Sequence, residues 1–459
     1  MSNKNILRFL TCGSVDDGKS TLIGRILYDT KSILKDQMNS VKNESKKFGT
    51  QENQIDLALL VDGLQSEREQ GITIDVAYRF FSTNKRKFII ADTPGHEEYT
   101  RNMVTGASNS NLALILIDAT KGVLPQTKRH TYIVNLLGIK NIIVAVNKMD
   151  LVNYNETIFK DIVKKFKEIT LDLKLSNIKF VPISATKGDN IVYKSKQMFW
   201  YNGNTILNLL ENIKIQHNYN NKLRFAVQYV NRPNSNFRGF CGTVLSGKIS
   251  VGDTITILPS GNKTKVKKII DASKINLNHV ISKAEVSEAT KSMAITLLTE
   301  TEIDISRGDM IIHSKETPKI SNQLKVMIVW MDNTPLNINK DYYIKHTTAV
   351  FNIKFEKINY KIDINNFKKI TTDTLKLNDI GSCRVSLNRP IIVDTYKNNR
   401  LTGSFIIIDK LTNNTVGAGM IVDLSRRNTK IIKREYSNAE KELNAFIRKH
   451  YPEWDCKEI

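Results

Sequence analysis

Cysteine is scarce in this chain of 459 residues, which contains four. They lie far apart, at Cys12, Cys241, Cys383 and Cys456, with no C-x-x-C pair and no histidine at metal-ligand spacing. Because zinc sites and disulfide frameworks need clustered cysteines, we expect neither. Free cysteines are typical of the reducing cytoplasm, which is the compartment that we predict.

Long apolar runs are missing as well. Runs such as Leu112 to Ile117 have the length of a strand, far short of the roughly 18 residues that a membrane helix needs. The first residues, MSNKNILRFL, have no long apolar core and no small-residue cleavage site, both of which a secretory signal requires. We therefore expect neither contact with a membrane nor a cleaved signal.

Proline and glycine are infrequent, at 9 and 22 residues, whereas 41% of the residues are hydrophobic. This composition excludes collagen-like and low-complexity chains, and it favours a folded protein with a buried core. At about 100–200 residues per domain, the length predicts two to four domains.

Acidic residues are outnumbered by basic ones, 46 against 68, which gives a formal net charge of +22. Such a surplus suits a nucleic acid or another acidic partner. The lysines are scattered, however, through a chain that is also rich in asparagine and isoleucine. We interpret the charge as a general drift in composition and do not predict nucleic acid as a partner.

The first part of the chain, residues 1–218, alternates short apolar runs with longer helical patterns. The runs are ILRFLTC at 6–12, KFIIAD at 87–92, LALILID at 112–118, NIIVAVN at 141–147 and KFVPIS at 179–184. Among the intervening segments, residues 155–169 place their apolar side chains on one helical stripe. Continuous apolar runs separated by helices predict parallel strands that are buried on both faces. We expect a doubly wound α/β domain with a mostly parallel sheet.

The remainder changes to strand-length segments separated by turn residues. Examples are LRFAVQYV at 223–230, TITIL at 254–258, VMIVWM at 326–331 and GSFIIID at 403–409. This rhythm predicts two small antiparallel β-barrels, at 222–318 and 319–425. In the tail, 426–459, Ser437 and Glu440 form an S-x-x-E capping box before an apolar stripe, which predicts a short amphipathic helix. That helix either packs against its own barrel or docks to a partner.

A phosphate-binding motif follows the first predicted strand. The segment GSVDDGKS fits G-x-x-x-x-G-K-[ST] and leads into the apolar start of a helix, which is the context of a phosphate loop. Backbone N–H groups and the helix N-terminus attract phosphate, and a lysine adds positive charge at the β- and γ-oxygens. A serine hydroxyl at the end of the motif suits Mg²⁺. The candidate residues are Gly13, Ser14, Val15, Asp16, Asp17, Gly18, Lys19, Ser20 and Thr21.

The strand KFIIAD ends in the run Asp92, Thr93, Pro94, Gly95 and His96. Asp92 therefore emerges at the carboxyl edge of the sheet beside the phosphate loop, where a contact to Mg²⁺ belongs. Gly95 can turn its N–H toward a γ-phosphate at little steric cost. His96 is the candidate for orienting the attacking water.

Thr73 lies in the run EREQGITI at 67–74, upstream of this strand. It is either a turn residue or a second hydroxyl for Mg²⁺, ordered by a γ-phosphate and released after hydrolysis. The other nucleotide motifs favour the second role. We assign catalysis to His96, Lys19 and Thr73, and Mg²⁺ binding to Ser20, Thr73 and Asp92.

The run Asn147, Lys148, Met149 and Asp150 follows the next strand and is a candidate base reader. A carboxylate only accepts hydrogen bonds, so Asp150 suits the N1–H and 2-amino donors of guanine and would repel the N1 lone pair of adenine. The run Ser184, Ala185 and Thr186 would close over the same base. Guanine is therefore the predicted base.

These motifs, in this order and followed by two barrels, resemble those of the translation-factor GTPases, of which elongation factor Tu is the best known. The phosphate loop has Asp17 where the elongation factors carry histidine. The runs DGLQSEREQGITIDVAYRFF, DTPGHEEYTRNMVTGAS and ELNAFIRKHYPEW are similar to the GTPase subunit of bacterial sulfate adenylyltransferase. The resemblance covers nearly the whole chain.

The resemblance implies a GTPase that uses GTP and Mg²⁺ and assembles with a separate catalytic subunit, an ATP sulfurylase. In that family the catalytic subunit joins ATP and sulfate into adenylyl sulfate and pyrophosphate, an uphill step of sulfate assimilation that GTP hydrolysis drives. By family role, residues 13–20 hold the phosphates, 92–96 sense the γ-phosphate and 147–150 read guanine. Some relatives carry a fused adenylyl-sulfate kinase with its own phosphate loop. We find no second loop here and do not expect that activity.

The alternative is a translation factor that delivers aminoacyl-tRNA. The net charge of +22 favours it, because affinity for nucleic acid depends on phosphate neutralisation. Asp17 and the sequence of the 67–74 run disfavour it.

Overall fold

The computed structural model describes residues 6–33, 57–61, 73–173, 177–215, 222–235, 237–274, 284–424 and 438–451, together with positions 36, 38, 41, 45, 67 and 175. Its α-helices are α1 (Lys19–Asp29), α2 (Thr100–Ser108), α3 (Pro125–Leu136), α4 (Glu156–Ile169), α5 (Ile206–Asn212) and α6 (Asn438–His450). Among these described helices, none is long and apolar enough to cross a bilayer.

The first part of the chain forms a six-stranded sheet in the order β2-β3-β1-β4-β5-β6. Only the pair β2 and β3 is antiparallel; the other neighbours are parallel. The strands are β1 (Ile6–Cys12), β2 (Ala77–Ser82), β3 (Lys87–Asp92), β4 (Leu112–Asp118), β5 (Asn141–Asn147) and β6 (Ile178–Pro182). The mostly parallel α/β prediction is confirmed.

The central strands, which are buried, were predicted from the sequence, whereas the partly exposed edge strand β2 was not. Every residue of β4 and β5 is buried, because helices cover both faces of the sheet. The edge strand β2 has no predicted counterpart. Its exposed residues alternate with partly or fully buried ones, so it lacks a continuous apolar run. Residues 57–60, between α1 and β2, form a 3₁₀ turn.

Helix α4 follows the predicted stripe. The side chain of Asn155 accepts hydrogen bonds from the N–H groups of Thr157 and Ile158, at 2.8 and 3.3 Å, and so caps the helix. Ile162 and Phe166 are buried against the sheet side of the domain. The period of 3.6 residues therefore places the apolar face correctly.

The second part of the chain forms a first barrel. Six strands close in the order β10-β15-β7-β8-β14-β11, because β11 also pairs with β10. The strands are β7 (Arg224–Asn234), β8 (Phe237–Ser246), β9 (Lys248–Ser250), β10 (Thr254–Leu258), β11 (Lys263–Asp271), β12 (Glu285–Val286), β13 (Glu288–Thr290), β14 (Ala294–Thr299) and β15 (Met310–His313).

A second barrel follows, closed in the order β17-β21-β22-β16-β20-β18 by the pair β17 and β18. Its strands are β16 (Ile320–Trp330), β17 (Tyr342–His346), β18 (Ala349–Ile362), β19 (Lys369–Ile370), β20 (Ile380–Ile392), β21 (Ser404–Asp409) and β22 (Thr415–Leu424). The prediction of two antiparallel barrels is confirmed. The limits 1–218, 222–318, 319–425 and 426–459 of the four parts remain predictions.

A buried ion pair joins the two barrels. Arg224 of the first barrel is 1% exposed. Its Nε and Nη2 donate to the carboxylate of Asp394 at 2.9 and 3.1 Å, and its Nη1 donates to Glu316 at 2.8 Å. The bidentate geometry fixes the first barrel against the second.

The C-terminal helix α6 is amphipathic in sequence and carries Arg448 and Lys449 in its last turn, which complements the helix dipole. The predicted capping residues Ser437 and Glu440 lie outside the described side chains. Leu443 and Phe446 are 59% and 54% exposed. That exposure disfavours the interpretation in which α6 packs against the second barrel.

Candidate nucleotide-binding site

The phosphate-loop motif connects β1 to α1, at the carboxyl edge of the sheet. Strand β1 lies between β3 and β4. The strands that follow β1 in the chain are therefore added first on one side of it and then on the other. α/β proteins bind ligands at the carboxyl ends of the strands where the order reverses in this way. Gly13 and Gly18 have φ angles of 149° and 86°. A Cβ at Gly13 would lie 2.7 Å from the carbonyl oxygen of Leu116, and one at Gly18 would overlap the amide of Asn147. Both positions therefore require glycine.

Lys19 is buried inside the loop and its Nζ donates to the carbonyl oxygen of Ser14 at 2.7 Å. Burial lowers the pKa of Lys19, while the carboxylates of Asp17 and Asp92 oppose the shift. The ammonium is thus held at the centre of the loop, where phosphate oxygens can replace the carbonyl as its partners.

Asp17 folds back onto its own loop. Its Oδ2 accepts the N–H of Ser14 at 2.6 Å, and its Oδ1 is buried with no hydrogen-bond partner among the described residues. Burial raises the pKa of Asp17 to about 6, although the positive charge of Lys19 opposes the shift. An unpaired buried carboxylate oxygen is costly, so this loop is strained electrostatically.

The remaining candidates of the loop lie at its rim. Asp16 is exposed with φ 66°, and its Oδ2 is 3.8 Å from Nζ of Lys121. Val15 and Thr21 are half-buried.

Ser20, Thr73 and Asp92, the three residues predicted to bind Mg²⁺, meet beside Lys19. Ser20 Oγ donates to Asp92 Oδ2 at 3.0 Å and lies 3.3 Å from Thr73 Oγ1. Thr11 holds the other carboxylate oxygen of Asp92 at 2.9 Å. Burial raises the pKa of Asp92, and the charge of Lys19 opposes that shift. Two hydroxyls and one carboxylate are hard oxygen donors, so these residues fit an ion that also keeps phosphate and water ligands.

The segment that carries Thr73 is anchored from both sides. The carboxylate of Glu67 accepts the N–H groups of Ile74 and Asp75 at 2.9 and 3.3 Å. Asn102 of α2 donates to the carbonyl oxygen of Ile74 at 2.7 Å. Residues 68–72 of the run at 67–74 lie outside the described residues.

The run after β3 lies against the phosphate loop. The hydroxyl of Thr93 donates to the carbonyl oxygen of Thr11 at 2.6 Å, and Pro94 is buried. A Cβ at Gly95 would lie 2.8 Å from the carbonyl oxygen of Ser14 and would overlap Lys19 Nζ. Glycine is therefore required where backbone and loop come into contact.

His96, predicted to orient water, is exposed. Its Nδ1 accepts the N–H of Glu98 at 3.3 Å, and its ring lies 5.8 Å from that of Tyr99. Among the described residues, no hydrogen bond joins this imidazole to the phosphate loop. Catalysis by His96 therefore needs a rotation toward the loop and remains a prediction.

The predicted base-reading runs converge next to the phosphate loop. Asn147 Nδ2 donates to the carbonyl oxygen of Asp17 at 2.8 Å, and its Oδ1 accepts the N–H of Ala185 at 2.9 Å. Asn147 therefore ties three segments together. Asp150 Oδ1 is buried with no partner among the described residues, so it awaits a donor such as the N1–H of guanine.

Neighbouring residues of these runs have structural contacts. Lys148 pairs with the buried Asp118 at 2.9 Å. Although burial acts to raise the pKa of Asp118, hydrogen bonds from Thr120 and Lys148 hold it below its usual value. Met149 belongs to the core. Ser184 Oγ lies 3.2 Å from Thr186 Oγ1, a contact within the run that is predicted to close over the base.

Sequence reasoning missed several residues that hold this site. His130 and Thr127 of α3 contact the loop: Nδ1 of His130 accepts the N–H of Gly13 at 3.1 Å, and Thr127 Oγ1 lies 3.4 Å from Ser14 Oγ. Arg25 of α1 donates to the carbonyl oxygens of Ala185, at 3.1 Å, and Thr186. The residues in each of these contacts are more than a hundred positions apart in the chain, so no local sequence pattern predicts the contacts.

Comparison with known proteins places these features in a family context. The model of the elongation factor Tu GTP binding domain matches residues 4–230, and that of the GTP-eEF1A C-terminal domain-like family matches residues 323–422. Sulfate adenylyltransferase subunit 1 of Sulfurovum sp. (strain NBC37-1) is 56% identical over 461 residues, which cover 100% of this chain and 96% of the relative. The subunit 1 proteins of Francisella tularensis subsp. novicida (strain U112) and Aliarcobacter butzleri (strain RM4018) are each 54% identical, with 99% and 100% of this chain covered and 95% and 96% of the relatives.

Proposed function

The chain belongs to the family of sulfate adenylyltransferase subunit 1, within the elongation factor Tu-like GTPases, and from this premise we propose that it hydrolyses GTP to drive formation of adenylyl sulfate. A separate catalytic subunit would join ATP and sulfate and release pyrophosphate. The name subunit 1 of the relatives supports such a partner. The observation that carries the proposal is the contact among Ser20, Thr73 and Asp92, because it links three segments that a γ-phosphate would hold together.

GTP would bind through the groups that the loop already presents. The backbone of residues 13–18 and the ammonium of Lys19 would hold the β- and γ-phosphates. The free oxygen of Asp150 would accept the guanine donors, which supports guanine over adenine. Ser20, Thr73 and Asp92 would hold Mg²⁺, and the charge of such an ion neutralises phosphate oxygens.

Coupling requires that GTP and GDP stabilise different positions of the Thr73 segment. A partner that prefers one position then shifts the population toward it. A change of about 10⁴ in the equilibrium constant between the two positions needs roughly 5.5 kcal/mol of differential affinity. We propose that the catalytic subunit docks beside residues 67–74 and the barrels. In support, Ile74 is tied both to Glu67 and to Asn102 of α2, so a shift of this segment reaches α2.

The translation-factor alternative rests on net charge alone. Full-length identity of 56% and 54% to subunit 1 proteins favours sulfate activation over it. Scattered charge, by contrast, is a weak indicator of a nucleic-acid partner.

The experiment measures adenylyl sulfate formed from ATP and sulfate by this chain mixed with the catalytic subunit. GTP is compared with a non-hydrolysable analogue and with no guanine nucleotide. We expect product to accumulate in proportion to GTP turnover, and the analogue to give no gain beyond one turnover. Equal product under all three conditions, with complex formation verified, would contradict the proposal.

A further inference from the structure

Strand β4 ends at Asp118, between the phosphate loop and the base-reading run 147–150. In the sheet, β4 lies between β1, which leads into the phosphate loop, and β5, which leads into that run. A nucleotide whose phosphates lie at β1 and whose base lies at β5 must therefore cross the end of β4 with its sugar. Asp118 is 1% exposed. A carboxylate at this place repels phosphate unless a positive charge is paired with it.

The carboxylate of Asp118 has hydrogen-bond partners on both oxygens. Its Oδ1 accepts the N–H of Thr120 at 2.8 Å and the hydroxyl of Thr120 at 2.6 Å, and its Oδ2 lies 2.9 Å from Nζ of Lys148. Burial acts to raise the pKa of Asp118, but hydrogen bonds from Thr120 and Lys148 hold it below its usual value. Asp118 is therefore ionised at neutral pH, and the ammonium of Lys148 balances its charge.

This ion pair fixes the direction of the Lys148 side chain. The backbone of Lys148 follows the end of β5 with φ 63°, whereas its Nζ reaches the end of β4. The stem between them thus runs from the base-reading run toward the phosphate loop. Burial contributes most to raising the pKa of Asp17 in that loop, and the charges of Asp118 and Lys148 act on it as well. The pair therefore lies close to the phosphate loop.

We propose that Asp118 is a positioning residue for the nucleoside: it holds the stem of Lys148 across the end of β4, where the stem forms one wall of the slot that receives guanosine. Because the pair is neutral, Lys148 contributes a shaped surface here rather than attraction for phosphate. A wall that is ordered before binding raises affinity, since its ordering costs nothing in the complex. This role rests on the proposed nucleotide site and deepens it, and the tests below separate the failure of the two.

The first test measures the GDP affinity of the full chain by titration calorimetry. Asp118→Asn keeps the size of the side chain and an acceptor for Thr120, but its NH₂ group faces the ammonium of Lys148 and cannot hold it. We expect GDP affinity to fall about tenfold. Thr120→Val removes the hydroxyl that holds Asp118 and keeps the N–H, so a smaller fall of about threefold is expected.

Asp409→Asn is the matched control, because Asp409 has the same kind of surroundings in the second barrel. It ends strand β21, is buried, accepts the N–H groups of Leu411 and Thr412 at 2.8 and 3.1 Å, and pairs with Lys340. Its replacement removes an equivalent ion pair and should lower the Tm to an extent similar to that of Asp118→Asn. GDP affinity should stay within about twofold of wild type, because the site is independent.

The second test asks whether Asp118 acts through Lys148. Lys148→Met retains an apolar stem but removes the ammonium, so nothing remains for Asp118 to hold. In this background Asp118→Asn should change GDP affinity by less than about twofold, against about tenfold in the wild-type background. Hydrolysis adds a further readout. Asp118→Asn should raise the KM for GTP about tenfold and leave kcat within about twofold, because the wall contacts the nucleoside and not the γ-phosphate.

Each outcome supports the positioning role or overturns it. Wild-type GDP affinity in both Asp118→Asn and Thr120→Val, or a loss no larger than that of Asp409→Asn, would show an ion pair that only stabilises the fold. Multiplicative effects of Asp118→Asn and Lys148→Met on affinity, or a fall in kcat at unchanged KM, would overturn the role as well. If Asp118→Asn does not fold, Thr120→Val with and without Lys148→Met decides by the same criteria. If the wild-type chain itself fails to bind GDP, the proposed nucleotide site fails instead.

Discussion

At the scale of single residues, Asp150 is a buried acceptor that needs a hydrogen-bond donor, because its Oδ1 has no partner in the described part of the chain. Replacing it with asparagine turns one acceptor into a donor that faces the guanine N–H groups. We expect Asp150→Asn to weaken GDP binding by about 10- to 100-fold, which corresponds to about 1.4–2.7 kcal/mol, the scale of a hydrogen bond to a charged group. Competition between GTP, ATP and xanthosine triphosphate measures the loss of guanine selectivity.

The matched control for that change is Asp189→Asn. Asp189 also carries a carboxylate near the base loop, but its Oδ2 accepts the hydroxyl of Tyr154 at 3.3 Å. This variant should retain guanine selectivity. If Asp150→Asn kept it too, Asp150 would not be the base reader.

Asp17 gives a pH prediction. Its pKa is raised from 3.8 to about 6 by burial, so the folded chain binds this proton more tightly than the unfolded chain. The ionised carboxylate therefore lowers the free energy of unfolding, and this loss develops as pH rises from about 4 to above 6. Asp17→Asn removes the charge, and we expect it to raise the Tm of the nucleotide-free chain at pH 7.5 by about 2–4 °C, with a smaller or no gain at pH 5.

Differential scanning calorimetry at the two pH values checks this expectation. Asp16→Asn serves as control, because Asp16 is exposed on the same loop and its replacement should act alike at both pH values. An equal gain from Asp17→Asn at pH 5 and pH 7.5 would show that packing, and not the charge, limits stability.

At the scale of elements, the buried ion pair of Arg224 stabilises the contact between the two barrels. Removing one partner of a buried pair costs about 3–5 kcal/mol, so Arg224→Leu should lower the free energy of unfolding of the barrel transition by that amount in urea. Arg232→Leu is the control, because Arg232 pairs with Glu302 on the surface at 3.8 Å, where about 0–1 kcal/mol is expected. Adding Asp394→Leu to Arg224→Leu should recover part of the loss; further destabilisation would mean that the pair is not the source.

Local sequence patterns predicted the strands that are buried over most or all of their length. The bounds of β1, β3, β4 and β5 coincide with the apolar runs. Strands β4 and β5 are buried throughout, and β1 and β3 are buried except near their first residues, so a central strand covered on both faces is read as a continuous apolar run. The edge strand β2 was not predicted, because Tyr78 and Phe80 are exposed on one of its faces and the strand has no continuous buried run. The phosphate and base motifs were readable because each is a contiguous run, whereas His130 and Arg25 act through contacts made only in the folded chain.

At the scale of the whole molecule, the two interfaces of the second barrel differ in the kind of contact that they contain. Its contact with the first barrel includes the buried pair of Arg224 and Asp394. Its contact with the GTPase domain includes single hydrogen bonds to backbone carbonyls, such as those of Glu97 and Leu137, each contributing about 0.5–1.5 kcal/mol. Buried apolar residues of the GTPase domain and of the second barrel also belong to one cluster, which includes Val134, Met327 and Tyr396. Apolar burial therefore stabilises this interface in addition to the hydrogen bonds.

The assignment of GTP binding to this chain and of sulfate chemistry to its partner predicts the effect of replacing Lys19. If sulfate chemistry belongs to the partner, Lys19→Ala should weaken GTP binding about 100-fold or more, as expected for a lost buried charge contact, and abolish the GTP-dependent gain in adenylyl sulfate. The small amount of product formed without GTP should be unchanged, because in the described part of the chain Lys19 contacts the phosphate loop, the run after β3 and acidic neighbours. Lys121→Ala, which removes an exposed lysine beside Asp16, should preserve the gain. Loss of the GTP-independent product by Lys19→Ala within an intact complex would instead show that this chain supplies groups to the sulfate reaction itself.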